Sequence, residues 1–188
     1  MLAHDMALLL TEDFQKVQSR SYYQFKEVWQ KIAASVPRLT QQGEYTIAYF
    51  LRTDIESKTD WSTIGIQPTL DLSICLPYSD CRSPNDAAFF TKLFFAGIDI
   101  ADIVVTDRLH VGVSSMLLGK EVFLIDNSYG KVAGVYENSM KQCSRVHYVN
   151  DVLDLPKLLE QTIAGGQIRK TANRENLNKI GKVLKISS

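Results

Sequence analysis

The chain has 188 residues, of which 45% are hydrophobic and 22% charged, a composition typical of one well-filled globular domain. Its 21 basic residues balance its 21 acidic residues, so the charge does not indicate a broad surface for nucleic acid, and we expect no nucleic-acid partner. The three cysteines are odd in number and include no Cys-x-x-Cys pair, which argues against a disulfide framework and against a zinc site.

The first ten residues, MLAHDMALLL, contain a short apolar run with no basic segment before it, which makes a poor signal peptide. No apolar stretch is long enough to span a bilayer. We therefore expect a cytoplasmic protein, either free in solution or attached peripherally to the inner face of the membrane.

The first half of the chain is predicted to contain few regular elements. In chain order these are a short strand at 5–10, a helix at 13–35 that Pro37 ends, a polar connection at 38–44, a buried strand at 45–54, a loop at 55–68, a second candidate strand at 70–78 and a turn at 80–84. The strand at 45–54 is rich in β-branched and aromatic residues, which is why we expect it to be buried.

In the second half, helices alternate regularly with apolar strands. The predicted helices are 85–98, with Ser83 or Asn85 as its cap, then 111–119, a segment after Lys131, 152–163 and 171–185. The predicted strands are 101–107, 120–126 and 145–150.

The strands are continuous apolar runs, a pattern typical of a parallel sheet with helices on both faces. The sequence therefore predicts a Rossmann-like α/β fold. It contains no internal repeat and no low-complexity linker. We predict a single domain over 1–188, with an N-terminal strand and helix segment (1–44), an α/β core (45–165) and a C-terminal helix (166–188).

Polar residues follow three of the predicted strands at the points where the strands end. Arg52, Arg108 with His110, and the residues from Asp126 to Lys131 occupy these positions. Ligands of open parallel α/β sheets bind outside the carboxyl ends of the strands. The last two segments also precede helices, whose free N–H groups favour an anion. The sequence therefore predicts a site for phosphate or carboxylate at this edge.

Each of these residues also has a purely structural interpretation. The structural interpretations are an ion pair of Arg108 with Asp107 or Asp126, a satisfied core position for His110, an ion pair of Arg52 with Asp54 or Glu56, and a solvated helix position for Lys131. His4 and His147 are interpreted as structural, and the three histidines show no spacing typical of zinc ligands. Glycine-rich phosphate motifs are absent, which counts against a dinucleotide or P-loop enzyme.

The segment VVTDRLHVGVSSMLLGKEVFLIDNSYGKVAGVYE resembles the polysaccharide pyruvyl transferase family. Its TDRLH element, its small-residue helix ending in Gly-Lys, and its DNSYGK element occur in the family's order. The segments HDMAL and FLRTDIES also resemble family segments. The resemblance extends over residues 1–165 and is strongest over 100–137.

This resemblance implies transfer of a pyruvyl group from phosphoenolpyruvate to two sugar hydroxyls, as a ketal, in exopolysaccharide or cell-wall polysaccharide biosynthesis. It also implies a fold similar to the two-Rossmann-domain GT-B glycosyltransferases. Carried over to this chain, Arg108 binds the donor's phosphate or carboxylate and His110 is the general acid. The further donor contacts implied are Leu109, Arg52, Asn127, Ser128 and Lys131. The scheme requires no metal and no cofactor.

Family members are usually longer, with an N-terminal domain before the segment that HDMAL resembles. The resemblance therefore implies that this chain is the donor-side half. A partner chain, or a second copy in a homo-oligomer, would supply the other half and bind the saccharide or lipid-linked saccharide acceptor. In that case we expect the final helix, 171–185, to expose an apolar face. The alternatives are a GT-B-like glycosyltransferase that uses a nucleotide sugar, and a non-catalytic remnant or interaction domain.

Overall fold

The structure is a computed structural model that describes residues 19–54, 57, 59–72, 74, 83–126 and 130–184. Its strands are β1 (Thr40–Gln42), β2 (Tyr45–Phe50), β3 (Ile103–Thr106), β4 (Glu121–Ile125) and β5 (Val146–Val149). Its helices are α1 (Ser19–Ser35), α2 (Pro84–Ile98), α3 (Leu109–Leu117), α4 (Lys131–Val135), α5 (Leu155–Ala164) and α6 (Glu175–Val183). Short 3-10 turns lie at Val36–Arg38, Trp61–Ile64 and Val152–Asp154, and a π turn extends α4 over Tyr136–Met140.

The five strands form one sheet in the order β1-β2-β3-β4-β5. β1 is antiparallel to β2, and the other three pairings are parallel, with Ile47 opposite Ile103 and Val122 opposite Val146. Because β2 to β5 run in the same direction, their carboxyl ends lie along one edge of the sheet. Segments that follow these strands are thereby brought to that edge.

Alternate residues of the strands contact helices on opposite faces of the sheet, as the pleat requires. On one face, Phe50 and Val104 belong to a core cluster that also contains buried residues of α1, α2 and α6. On the other face, Tyr49 and Val105 belong to a cluster with α5 and the segment around Trp61. The predicted α/β fold, with a parallel sheet between helices, is confirmed.

The last helix, α6, lies against α1 and α2. Leu177, Ile180 and Leu184 are buried in the first core cluster. The indole Nε1 of Trp29 donates a hydrogen bond to the Leu177 carbonyl at 2.8 Å. The expectation that the final helix exposes an apolar face is therefore wrong. The chain covers that face with its own helices, because the stripe of α6 matches the apolar side of α1.

Several predicted boundaries and elements differ from the structure. The polar connection at 38–44 contains β1, an edge strand whose mostly exposed polar residues show no apolar pattern. The described residues of the candidate strand 70–78 are not in a strand. The cap predicted at Ser83 is confirmed, since its hydroxyl accepts a hydrogen bond from Asp86 N at 3.1 Å. The predicted strand 5–10 lies outside the described residues.

No helix in the described part of the chain is both long enough and apolar enough to cross a membrane.

Candidate functional site

The ends of β2 and β3 are tied together by two buried side chains. The Thr106 hydroxyl donates to the Phe50 carbonyl at 2.7 Å and accepts from Arg108 N at 3.0 Å. The Asp107 Oδ1 atom accepts from Arg52 N at 2.8 Å. These bonds hold the backbones of Arg52 and Arg108 beside each other, although Arg108 comes 56 positions after Arg52 in the chain.

The two arginines converge on the carboxylate of Asp54. Arg52 donates to it from Nε at 2.9 Å and from Nη2 at 3.2 Å. Arg108 donates from Nη2 to Asp54 Oδ2 at 2.9 Å and to Asp71 Oδ2 at 2.5 Å. We refer to Arg52, Asp54, Asp71, Asp107 and Arg108 as the arginine–carboxylate cluster.

The pKa values in this cluster follow from burial and from the arginines. Burial raises the pKa of Asp107 to about 6, although hydrogen bonds and the two arginines act in the opposite direction. The hydrogen bond from Arg52, followed by the charge of Arg108, lowers the pKa of Asp54 despite partial burial. Burial lowers the pKa of Arg108, but Asp71 and Asp54 together outweigh it, so the net change is upward. Arg108 therefore stays charged and Asp54 stays ionised at neutral pH.

The ion pair of Arg108 and Asp71 includes two buried polar atoms that make no hydrogen bond among the described residues. The Arg108 Nε donor and the Asp71 Oδ1 acceptor are both buried and have no hydrogen-bond partner in the described part of the chain. Buried polar atoms are paired in the great majority of cases. An unused donor and an unused acceptor on one ion pair are therefore a place where a polar ligand could bind.

His110 is the second residue of α3, directly after the cluster in sequence, and its side chain is exposed. The structural alternative of a core histidine is therefore wrong. Leu109, the first residue of α3, is half-buried and packs against the cluster of apolar residues beneath α3 and α4. Its predicted contact with a donor stays a prediction.

Lys131 begins α4, after the carboxyl end of β4, and is exposed as its structural alternative requires. Gly130 precedes it with φ of 67°, a left-handed conformation that favours glycine. The Asp126 carboxylate accepts a hydrogen bond from Ala133 N at 3.4 Å. It also contributes, after burial, to the raised pKa of Tyr148. Asn127 and Ser128 lie outside the described residues.

The predicted site residues thus fall into two groups. Arg52 and Arg108 meet at one carboxylate, whereas His110 and Lys131 are exposed at the starts of two helices on the same edge of the sheet. The predicted pairing of Arg52 with Asp54 is confirmed. The predicted pairing of Arg108 with Asp107 or Asp126 is wrong, because its partners are Asp54 and Asp71.

Asp71 is the cluster residue that sequence reasoning missed. It lies between Leu70 and Leu72, within the stretch interpreted as an apolar strand. A carboxylate inside an apolar run needs a partner when the run is buried, because an unpaired buried charge is strongly unfavourable. That interruption of the apolar run is the signal that could have found it.

The described residues contain one further histidine besides His110, and it is paired with a carboxylate. Within the part of the chain that the structure describes, no group of three or more His, Cys, Asp or Glu residues has the geometry to hold a metal ion. The His147 ring lies 2.5 Å from Glu121 and stacks on Phe123. Cys143 is a free, half-buried thiol. His4, Cys75 and Cys81 lie outside the described residues.

Comparison with known proteins identifies the family. A family model described as polysaccharide pyruvyl transferase matches residues 1–129, more than half of the chain. The match includes Arg52, Arg108 and His110 and ends before Lys131. Searches of curated proteins and of solved structures found no match. The chain, with two arginines meeting at the carboxyl edge of its parallel sheet, belongs to the polysaccharide pyruvyl transferase family.

Proposed function

We propose that this chain transfers a pyruvyl group from phosphoenolpyruvate to two hydroxyls of a saccharide, in the biosynthesis of exopolysaccharide or cell-wall polysaccharide. Family membership supports a pyruvyl transferase in general. The observation that carries the donor assignment is the convergence of Arg52 and Arg108, from neighbouring strand ends, on a single carboxylate.

Phosphoenolpyruvate carries a carboxylate and a phosphate, and both groups match the planar donor edge of arginine. The Asp54 carboxylate shows that the space between Arg52 and Arg108 accepts a carboxylate at hydrogen-bonding distance. The side chains of both arginines are mostly buried, with 11% and 13% exposed. Ion pairs in such a partly desolvated place are stronger than on an open surface.

The proposed reaction begins with a proton transfer from His110 to the methylene carbon of the donor. This step leaves an oxocarbenium-like carbon, which one saccharide hydroxyl attacks while its proton returns to His110. Phosphate then departs with its bonding electrons, and a second hydroxyl attacks the same carbon, gives its proton to the departed phosphate and closes the ketal. Histidine suits this role because its ordinary pKa lies near neutral pH. The exposure of His110 leaves it accessible to both substrates.

Lys131 is proposed as a further contact to the donor phosphate. It is exposed at the start of α4, along the edge that also holds the cluster. We also propose that the saccharide or lipid-linked saccharide acceptor meets contacts from a partner chain or a second copy. The acceptor would approach His110 from solvent, since that side chain is exposed.

Calorimetric titration of the purified chain with phosphoenolpyruvate tests the proposed donor site. Arg52→Ala should weaken binding about tenfold or more, because it removes a two-point contact to an anion. His110→Ala should bind the donor as tightly as the unaltered chain does. It should release no phosphate from phosphoenolpyruvate when a panel of hexosides is supplied as acceptors. Lys131→Ala should weaken binding by less than the arginine variant.

The matched control is Lys141→Ala, which removes one exposed cation from the ion pair with Glu137 and leaves the sheet edge untouched. Its donor affinity should equal that of the unaltered chain. No binding at millimolar phosphoenolpyruvate by the folded, unaltered chain would overturn the donor assignment. Binding of a nucleotide sugar in its place would favour the glycosyltransferase alternative.

A further inference from the structure

The arginine–carboxylate cluster carries no net positive charge in this structure. Arg52 and Arg108 are balanced by Asp54 and Asp71, and Asp107 adds a further negative charge whenever it ionises. An anion gains little electrostatic energy from a group of charges that already sums to zero. A donor with a carboxylate and a phosphate therefore needs a rearrangement of the cluster before it binds tightly.

The two carboxylates on Arg108 differ in their exposure to water. The side chain of Asp71 is 5% exposed, and its Oδ2 atom also accepts from Thr53 N at 3.2 Å. The side chain of Asp54 is 34% exposed. Asp54 leaves the arginines at a lower free-energy cost, because water screens the ion pairs of a partly exposed carboxylate, whereas removal of the buried Asp71 would also leave Thr53 N without its acceptor. Asp54 is thus the carboxylate that an incoming anion would replace.

The contacts of the arginines point the same way. Arg52 holds Asp54 with both donors of one guanidinium edge, Nε and Nη2. Arg108 uses only Nη2, and its Nε, on the same edge of the guanidinium, has no hydrogen-bond partner among the described residues. A carboxylate that is not tethered to the chain at position 54 has the freedom to satisfy both atoms of Arg108.

We infer that Asp54 is an internal competitor that occupies the place of the donor carboxylate until the donor displaces it. This inference rests on the proposed function. On displacement, Asp71 keeps Arg108 in place, the two arginines face the donor, and the charge at the site rises by one unit. No covalent bond changes. Tight binding would therefore require a carboxylate on the ligand, because the donor carboxylate takes the place of the Asp54 carboxylate.

The test is a calorimetric titration of the full chain and of Asp54→Asn with phosphoenolpyruvate, with pyruvate and with inorganic phosphate. The amide keeps the size of the side chain and removes its charge. We expect the affinity for phosphoenolpyruvate and for pyruvate to rise about tenfold, and the affinity for phosphate to rise less. The control is Glu44→Gln, which removes one negative charge from an exposed ion pair with Lys170 and should leave every affinity unchanged.

An increase that is larger for phosphoenolpyruvate and pyruvate than for phosphate supports the inference, whereas an equal increase for all three ligands would reflect only the lost negative charge and would overturn it. An equal or lower donor affinity of Asp54→Asn, with binding by the unaltered chain intact, would show that Asp54 aligns the arginines. That result overturns this inference and leaves the proposed function standing. Failure of both folded proteins to bind phosphoenolpyruvate would overturn the proposed function as well. If the asparagine variant does not fold, Asp54→Ser provides the same comparison.

Discussion

At the scale of single residues, Asp107 is a buried carboxylate that the fold keeps at the junction of β2 and β3. It is 2% exposed, and its hydrogen bond from Arg52 N fixes the backbone that presents Arg52. Burial disfavours its charged form and raises its pKa to about 6. The residue therefore positions the candidate site at the expense of stability that is lost as the pH rises through about 6.

Asp107→Asn tests this trade-off. The folded pKa of about 6 lies above the ordinary value of 3.8, so the contribution of Asp107 to the free energy of unfolding is fully present below pH 3.8 and is lost as the pH rises through 6. Asparagine keeps the acceptor for Arg52 N and does not titrate. Between pH 4 and pH 8 we expect the difference in unfolding free energy to shift by about 2 kcal/mol in favour of the variant.

The measurement is urea unfolding of both proteins at a series of pH values. A difference that does not change with pH would contradict the raised pKa of Asp107.

At the scale of elements, α3 is placed by its close approach to β4. Gly112 lies in α3, and a Cβ atom added there would be 2.4 Å from Cδ2 of Leu124, a buried residue of β4. This contact sets the depth of α3 on the sheet. The start of α3 carries His110 and follows Arg108, so the packing of α3 also sets where the candidate acid lies.

We therefore expect Gly112→Ala to lower the free energy of unfolding by about 1–3 kcal/mol, because the added methyl group overpacks a filled interface. Thermal and urea unfolding measure the change. The matched control is Gly134→Ala in α4, where an added Cβ meets no atom within 4 Å. That variant should be neutral or more stable by about 0.5–1 kcal/mol, from higher helix propensity. Equal effects at both glycines would contradict the assigned packing.

At the scale of the whole molecule, the two edges of the sheet hold different kinds of ion pair. At the amino edge, the buried Lys120 donates to Asp99 Oδ1 at 2.7 Å and to the Thr171 carbonyl at 2.7 Å. Asp102 accepts from the backbone N–H groups of Thr171 and Ala172 and from Thr46 N. These contacts bind the segment before α6 to the sheet. The amino edge is therefore structural, and the candidate site lies at the carboxyl edge.

Lys120→Met should lower the free energy of unfolding by about 3 kcal/mol or more, because Asp99 and the Thr171 carbonyl lose their buried donor. Limited tryptic cleavage after Lys170 and Arg174 should also become faster, since the segment leading to α6 loses an anchor. The control for stability is Lys170→Met. This variant loses an exposed ion pair with Glu44, and its free energy of unfolding should equal that of the unaltered chain. Unchanged stability of Lys120→Met would contradict the role of the amino edge.

By itself, the sequence determined the succession of strands and helices from residue 85 onward and the segments that hold Arg52, Arg108 and His110. These features depend on local patterns, such as the apolar runs of β3 and β4 and the cap at Ser83, which a chain shows within a few residues. The weakest predictions were those without an apolar pattern, such as the polar edge strand β1.

Only the tertiary structure decided which carboxylates pair with Arg108 and which helices bury the apolar stripe of α6. Asp71 and Asp54 lie 37 and 54 residues before Arg108, and no local pattern connects them. They meet it because β2 and β3 are adjacent and parallel, which brings the segments that follow them to one edge. The stripe of α6 is buried for the same kind of reason. The sequence gives the chemistry of each side chain. The order in which the strands pair and the helices pack determines which side chains come into contact.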